Sequence, residues 1–169
     1  NSAYLTIGGL GLPDRDFYTN TDKKSIEIRG QYLKHISKML QFLGDDEKEA
    51  LLQAQIILDF ETILAEPRLT KVERRDFRKL NNPMSVSELS ELVPSINWKV
   101  ALKDIGVEKE IDTLIVMQPK YMSKVEEIFK NKDIDTWKII LRWATLNDAA
   151  GQLTTKIEKA NWDFYSKTL

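Results

Sequence analysis

The sequence predicts a mainly α-helical domain that also contains a small β element. Apolar residues recur at intervals of three and four over long stretches, and capping residues, glycines and prolines mark where these stretches end. The β element is predicted by a short apolar run rich in β-branched residues at 111–118. The 169 residues contain no internal repeat, low-complexity tract or linker-like segment, so we expect one domain over residues 1–169.

The N-terminal residues predict a short extended arm followed by a turn. The arm lies near residues 4–7, where Tyr4-Leu5-Thr6-Ile7 is mostly apolar, and glycines and Pro13 follow it. Asp14 is placed to cap a short helical turn that reaches Tyr18.

Two long helices should follow as an antiparallel pair. The first is predicted over residues 22–43, and Gly44 stands where a left-handed residue ends a helix. The second runs from Asp45 or Asp46 to Pro67, and the short connection favours antiparallel packing. The predicted core stripe of the first helix is Ile28, Tyr32, Ile36, Met39, Leu40 and Leu43, and that of the second is Leu52, Ile56, Phe60, Ile63 and Leu64.

The middle of the chain predicts shorter elements. Two capping boxes begin helices at Thr70 and Ser85, since each hydroxyl residue has a glutamate three positions later. Pro83 and Pro94 end these helices, and one or two further turns are predicted over residues 98–105.

A strand and two further helices complete the prediction. The strand at 111–118 needs a partner for its backbone groups, and we expect the arm near residues 4–7 to pair with it. Pro119 suits the first position of a helix that reaches about Asn131. From Asp133 or Asp135 one helix is expected to continue to the last residue, roughly 50 Å long at ~1.5 Å per residue. Its seam is Ile139, Trp143, Leu146, Ala150, Leu153, Ile157, Ala160 and Phe164, and Gly151 falls inside it.

The composition argues against several classes of function. The net charge of −1 provides no field that would attract nucleic acid or an anionic membrane, and no apolar run is long enough to span a bilayer. The chain has no cysteine and one histidine, His35, whereas a catalytic zinc needs about three protein ligands. No thiolate is available to bind metal or attack a carbonyl, and one histidine among scattered acids is a poor candidate for a zinc site.

The segment Gly8-Gly9-Leu10-Gly11-Leu12-Pro13-Asp14-Arg15-Asp16-Phe17-Tyr18 resembles part of the non-catalytic region of neprilysin-like zinc endopeptidases, the family of neprilysin, endothelin-converting enzyme and bacterial oligoendopeptidase O. Further blocks are similar to that family in the same order, so the resemblance covers nearly the whole chain. Asn81 departs from it, because the family usually has tyrosine there. The similar blocks are Tyr32–Leu40, Glu61–Ala65, Glu73–Leu89, Pro94–Trp98, Leu114–Tyr121, Trp137–Trp143 and Trp162–Tyr165.

The resemblance implies a role in shape rather than in chemistry. In such peptidases a helical domain faces the catalytic domain across an internal chamber, and the zinc-binding H-E-x-x-H helix of the catalytic domain is not in this sequence. The chain is thus expected to be a fragment of the non-catalytic lid region, inactive alone, in a zinc enzyme that cleaves short peptides. Its partners would be the catalytic domain of the same polypeptide and, in the full-length enzyme, peptide substrates. The candidate contacts to that catalytic domain are Asp14, Arg15, Asp16, Phe17 and Tyr18.

The resemblance also implies a compartment. Animal members of the family are extracellular and rich in disulfides, so the lack of cysteine favours a bacterial relative, periplasmic or secreted, with a cytoplasmic location as the alternative.

Each conspicuous cluster also has a structural interpretation. Asp14, Arg15 and Asp16 fit a helix cap and a buried ion pair that fixes the loop better than they fit an acid–base site. His35 fits a surface or core-edge position. The basic residues of 68–79 are interleaved with acids and fit a salt-bridged helix face better than a nucleic-acid platform or a chamber wall for acidic peptides.

Two other functions compete with the peptidase-lid hypothesis. The chain could be a free-standing helical interaction module without enzymatic activity, which would have capped ends and no large apolar face. It could also bind nucleic acid, which would require salt-sensitive association with oligonucleotides.

Overall fold

The computed structural model describes residues 3–107 and 111–169, which divide into two compact units. Unit 1 combines the N-terminal residues up to Gly9 with Pro67–Lys132, and unit 2 combines Leu10–Glu66 with Asp133–Leu169. The fold is mainly α-helical with one small sheet, which confirms the predicted fold class. Among the described residues no helix is both long and apolar enough to cross a membrane.

Unit 2 is helical. Its elements are α1 (Arg15–Thr19), α2 (Lys23–Gln41), α3 (Glu47–Ala65), α8 (Ile134–Ala149) and α9 (Thr155–Lys167), with a 3-10 turn at Ala150–Gln152. Asp14, Asp22, Asp46 and Asp133 cap the helices that follow them by accepting backbone N–H bonds. Gly44 has φ +101° between α2 and α3, as predicted for a left-handed helix terminator.

Unit 1 contains the sheet and shorter helices. Its elements are β1 (Ala3–Leu5), a 3-10 turn at Glu73–Arg75, α4 (Phe77–Leu80), β2 (Pro83–Ser85), α5 (Val86–Leu92), α6 (Trp98–Asp104), β3 (Thr113–Val116) and α7 (Pro119–Asn131). The central strand is β3, which pairs in parallel with β1 and antiparallel with β2. The expected pairing between the N-terminal arm and the apolar run is therefore confirmed. The third strand, β2, was not predicted, because three residues containing a proline give little strand signal.

The core of unit 2 lies between α2, α3, α8 and α9. The predicted stripe of α2 is buried except for Leu43, which is 43% exposed. The predicted stripe of α3 is wrong, since Leu52 and Ile56 are exposed and only Phe60 among its members is buried. The buried line of α3 instead runs through Ala50, Ala54, Ile57, Glu61 and Ala65. Alanines let α2 approach closely, so small residues contribute to this contact, whereas Leu51 and Leu52 face outward.

The single C-terminal helix predicted from residue 133 to the end is also wrong. The helix ends at Ala149, a 3-10 turn follows, and α9 begins after Thr154. Gly151 and the two threonines at 154 and 155 disfavour a helix interior, and the break lets α9 pack on α2. A Cβ on Gly151 would meet nothing within 4 Å, so the glycine does not serve a close helix contact.

Candidate functional site

The Gly11–Tyr18 segment wraps around one buried carboxylate, that of Glu61 on α3. Glu61 is 8% exposed, and its Oε2 accepts hydrogen bonds from the hydroxyls of Tyr18 (2.7 Å) and Tyr32 (2.9 Å). Its Oε1 accepts from the Tyr32 hydroxyl (3.1 Å) and the Gly11 backbone N–H (3.4 Å). The Tyr18 hydroxyl in turn accepts from the Leu12 N–H at 2.7 Å. We call Gly11, Leu12, Tyr18, Tyr32 and Glu61 the Glu61 network.

Glycine is required at position 11 by close packing. A Cβ built on Gly11 would lie 1.6 Å from the Tyr32 hydroxyl oxygen and 2.4 Å from Cζ of the same ring. No side chain fits there, so the segment can reach Glu61 only with glycine at this position.

The electrostatics of the network follow from burial. Burial raises the pKa of the Glu61 carboxyl, and the hydrogen bonds from Tyr18 and Tyr32 act against that shift. Burial and then the Glu61 charge raise the pKa of both tyrosine hydroxyls. A general acid or base must reach its substrate, whereas this carboxyl is enclosed and hydrogen bonded. The network therefore fixes the segment and does not offer a reactive group.

The five residues proposed as contacts to a catalytic domain fall into a buried group and a half-buried group. Asp14 and Tyr18 are 6% and 4% exposed and lie inside unit 2, whereas Arg15, Asp16 and Phe17 are half-buried. Asp14 caps α1 by accepting the Asp16 N–H at 3.3 Å, which confirms the predicted cap. The ion pair within this segment stays a prediction, and so does a contact between these five residues and a catalytic domain.

Arg29 fixes the end of α1. Its Nη1 donates to the carbonyl oxygens of Phe17 (2.7 Å) and Asn20 (2.8 Å), which are the groups that a short helix leaves without partners. Arg29 thus anchors the end of α1 to α2, while the Tyr18 hydroxyl anchors it to Glu61 of α3.

His35 is buried, which corrects the expected surface or core-edge position. It is 5% exposed and stacks on Phe164 with ring centroids 4.6 Å apart, and Trp143 meets it edge-on at 6.0 Å. Its buried Nε2 has no hydrogen-bond partner among the described residues. Burial, and secondarily the Lys38 charge, lowers the pKa of His35 to about 4. This residue is a neutral part of the core.

The residues that the structure describes do not fit a zinc site. The one histidine is enclosed by aromatic rings, the sequence has no cysteine, and the described residues contain no group of three or more potential ligands. No reaction step through a metal can be assigned to these side chains.

The basic residues of 68–79 form part of a salt-bridged surface in unit 1. Lys79 pairs with Glu73 at 3.0 Å and Arg78 with Asp76 at 2.9 Å, both largely in solvent. The Arg68 guanidinium lies over the Tyr121 ring at 5.0 Å. The N–H of Thr70 and the Lys79 ammonium lower the pKa of Glu73 to about 2. These contacts match the interleaved acid–base pattern that the sequence predicted.

Sequence reasoning missed the role of Glu61 and the burial of His35. Glu61 stands in one of the blocks that carry the family resemblance, but that block did not reveal its hydrogen-bond partners. The available signal was its position four residues after Ile57 and four before Ala65, on the buried face of α3. A carboxylate on a buried helix face needs hydrogen-bond donors, and the hydroxyl groups of tyrosines can donate such bonds.

Comparison with known proteins places the chain among metallopeptidases. The N-terminal model of Peptidase family M13 matches residues 1–169. Endothelin-converting enzyme 1 of Mus musculus is 30% identical over 97% of this chain and 22% of its own length. The endothelin-converting enzyme homolog of Locusta migratoria is 30% identical over 94% of this chain and 22% of its own length.

A solved structure agrees with these relatives. The zinc metalloprotease Zmp1 of Mycobacterium tuberculosis in its open state matches with a TM-score of 0.88 and 25% identity, over 98% of this chain and 26% of that one. The chain therefore spans about a fifth to a quarter of the length of the proteins that it resembles.

Proposed function

This chain belongs to peptidase family M13, and we propose that it forms part of the non-catalytic wall of a zinc-dependent endopeptidase. In this proposal the reactive centre lies in polypeptide outside these 169 residues. The chain contributes a rigid helical surface that shapes the substrate chamber and limits access to short peptides.

One combination of observations carries the proposal. The family match extends over the whole chain, yet the sequence has a single histidine and no cysteine, too few for the zinc ligands of such an enzyme. A chain that belongs to a peptidase family but lacks the metal ligands of that family is best explained as a structural part of such an enzyme.

The packing of unit 2 supports a wall. Glu61 joins the Gly11–Tyr18 segment, α2 and α3 through hydrogen bonds, and Tyr32 of α2 meets Trp143 of α8 edge-on and stacks on Phe164 of α9. A surface that excludes large substrates must resist deformation, and satisfied buried polar networks provide rigidity.

The first experiment tests whether the 169 residues have peptidase activity of their own. The purified 169-residue chain and the full-length parent would be incubated with a short fluorogenic peptide, with and without added zinc, and then with a chelator. We expect the chain to be inert under all conditions and the parent to show chelator-sensitive hydrolysis. Chelator-sensitive cleavage by the 169 residues alone would contradict the proposal.

The second experiment tests limited access. The parent would be given one scissile sequence within peptides of increasing length and within a folded protein loop. We expect kcat/KM to fall steeply once the substrate no longer fits a closed chamber. Equal efficiency on the folded protein would exclude an enclosing wall, whatever the metal dependence.

The competing hypothesis is a free-standing helical interaction module. It requires that no H-E-x-x-H motif is encoded downstream of Leu169, so the gene sequence decides between the two. We also propose that the parent acts outside the cytoplasm, on the strength of the family resemblance, and cell fractionation with an antibody to this chain tests that location.

A further inference from the structure

Helix α8 has apolar residues on two faces, and only one of these faces is mostly buried in the core of unit 2. Trp143 and Leu146 are 2% and 4% exposed and belong to the core. The other face carries Ile134, Trp137, Leu141 and Ala144, at steps of three, four and three residues. We call these four residues the outer α8 stripe.

Three of the four residues in the outer α8 stripe are exposed to solvent. Ile134 and Leu141 are 67% and 61% exposed, and Ala144 is also exposed. Trp137 is half-buried and meets Phe60 of α3 edge-on at 5.4 Å, which anchors the stripe to the core. A solvated helix normally has a polar outer face, whereas a helix that is apolar all round is normally buried on all sides.

The spacing of the stripe fits another helix. Apolar residues that alternate steps of three and four form a straight seam, which packs against a second seam at a shallow crossing angle. We therefore expect the occupant to be an amphipathic helix whose apolar face carries leucine-like side chains.

The length of the relatives favours an occupant from the same polypeptide. This chain covers 22% of the endothelin-converting enzyme relatives and 26% of Zmp1, so most of such a protein lies outside these residues. Four side chains cannot supply the roughly 800 Å² that each partner buries in a stable complex of separate proteins. A helix on the same chain needs no such area, because its effective concentration is high.

We propose that the outer α8 stripe is an internal packing surface of the parent enzyme, covered by an amphipathic helix of the polypeptide outside these 169 residues. The inference rests on the proposed function, since it requires that a longer parent exists. It locates the attachment on α8, whereas the sequence placed candidate contacts at residues 14–18.

Thiol labelling tests the covering directly, because the 169 residues contain no cysteine. Leu141→Cys places a thiol on the stripe. Ile26→Cys is the matched control, since Ile26 is an aliphatic residue of α2 that is 53% exposed and has polar neighbours at Lys23 and Arg29. Maleimide labelling of each site would be followed by mass spectrometry in the 169-residue chain and in the full-length parent.

In the isolated chain we expect the two thiols to react at similar rates. In the parent the Leu141→Cys thiol should react at least about tenfold more slowly than the Ile26→Cys thiol, and denaturant should abolish the difference. Equal rates in the folded parent would overturn the inference. Protection in the isolated chain that grows with protein concentration would assign the stripe to a second copy and would also overturn it.

The labelling result is independent of peptidase activity. An inactive parent that protects the Leu141→Cys thiol would refute the proposed function and support the covered stripe, and an active parent with a reactive thiol would do the reverse. If the substitution prevents folding, amide hydrogen exchange of the unsubstituted proteins decides instead. The amides of α8 should then exchange more slowly in the parent than in the isolated chain, and equal exchange would overturn the inference.

Discussion

Glu61 joins three parts of unit 2 through its two carboxylate oxygens. The donors include the Gly11 backbone N–H and the hydroxyls of Tyr18 and Tyr32, and both tyrosine side chains are nearly inaccessible to solvent. A buried donor that loses its acceptor costs about 1–3 kcal/mol, so single changes here should have large effects on stability.

The two tyrosines of the Glu61 network should differ in importance. Tyr32→Phe removes the bonds to Glu61 and the hydrogen bond with Tyr165 but leaves no backbone N–H without an acceptor, so it should lower the free energy of unfolding by about 1–2 kcal/mol. Tyr18→Phe also leaves the Leu12 N–H without an acceptor and should cost about 2–4 kcal/mol. Urea unfolding followed by circular dichroism measures both, and an equal loss would show that the Leu12 bond contributes nothing.

Gly11 should not tolerate a side chain. Gly11→Ala forces a methyl group into the Tyr32 ring and should lower the free energy of unfolding by about 3 kcal/mol. Gly30→Ala is the matched control, because Gly30 lies within α2 with nothing within 4 Å of an added Cβ, and it should stabilise the protein by up to about 1 kcal/mol. Thermal unfolding of the two variants should therefore shift in opposite directions.

His35 should make the protein less stable in acid. Its pKa is about 4 in the folded state and 6.5 when unfolded, so the unfolded state binds the extra proton first. The stabilisation from the neutral ring is complete above pH 6.5 and is lost as pH falls toward 4. Between pH 7 and pH 5 this loss should amount to about 2 kcal/mol.

His35→Phe isolates that contribution, because it keeps an aromatic ring on Phe164 and removes the titration. The variant should lose less stability than the wild type between pH 7 and pH 5, as measured by urea unfolding at each pH. Parallel pH profiles for the two proteins would refute the assignment of the acid sensitivity to this residue.

The helix caps and turn residues were predictable from the sequence, whereas the faces on which the helices pack were not. Asp14, Gly44, Ser85 and Pro119 act locally, through their own backbone neighbours, and the sequence predicted each position. The face of α3 that becomes buried depends on the side chains of α2 that pack against it. When a helix is apolar on both sides, its sequence alone does not indicate which side will be buried. The Glu61 network depends on residues far apart in sequence, so no local pattern could reveal its partners.

The capping box of α5 should make a measurable contribution to stability. The Ser85 hydroxyl accepts the Glu88 N–H at 3.1 Å, and the Glu88 carboxylate accepts the Ser85 N–H at 2.7 Å. Ser85→Ala should therefore lower the free energy of unfolding by about 1 kcal/mol. Ser123→Ala, within α7, removes a hydroxyl that bonds only its own helix and should change it by less than about 0.5 kcal/mol. Similar effects of the two substitutions would argue against the capping role.

The positive and negative charges of the chain nearly balance, and several of them form ion pairs with near neighbours. The chain carries 25 basic and 26 acidic residues, and the basic residues of 68–79 include ion pairs to neighbouring acids. Attraction to a phosphate backbone requires unpaired positive charge, because the release of counterions drives such binding.

The chain should therefore not bind nucleic acid. Fluorescence anisotropy with a labelled single-stranded oligonucleotide should show no saturable binding at low salt up to about 100 μM protein. Saturable binding that weakens as salt is added would contradict this expectation and revive the nucleic-acid hypothesis.

The interrupted course of each unit along the chain has a consequence for biosynthesis. During translation the segment Leu10–Glu66 leaves the ribosome before Pro67–Lys132, yet its packing partners at Asp133–Leu169 come last. At 5–20 residues per second, synthesis of the intervening stretch takes roughly 3–13 s. Throughout that interval the nascent α2–α3 hairpin lacks the aromatic rings of α8 and α9. Its apolar surface is then uncovered, so we expect chaperones to bind this part of the chain.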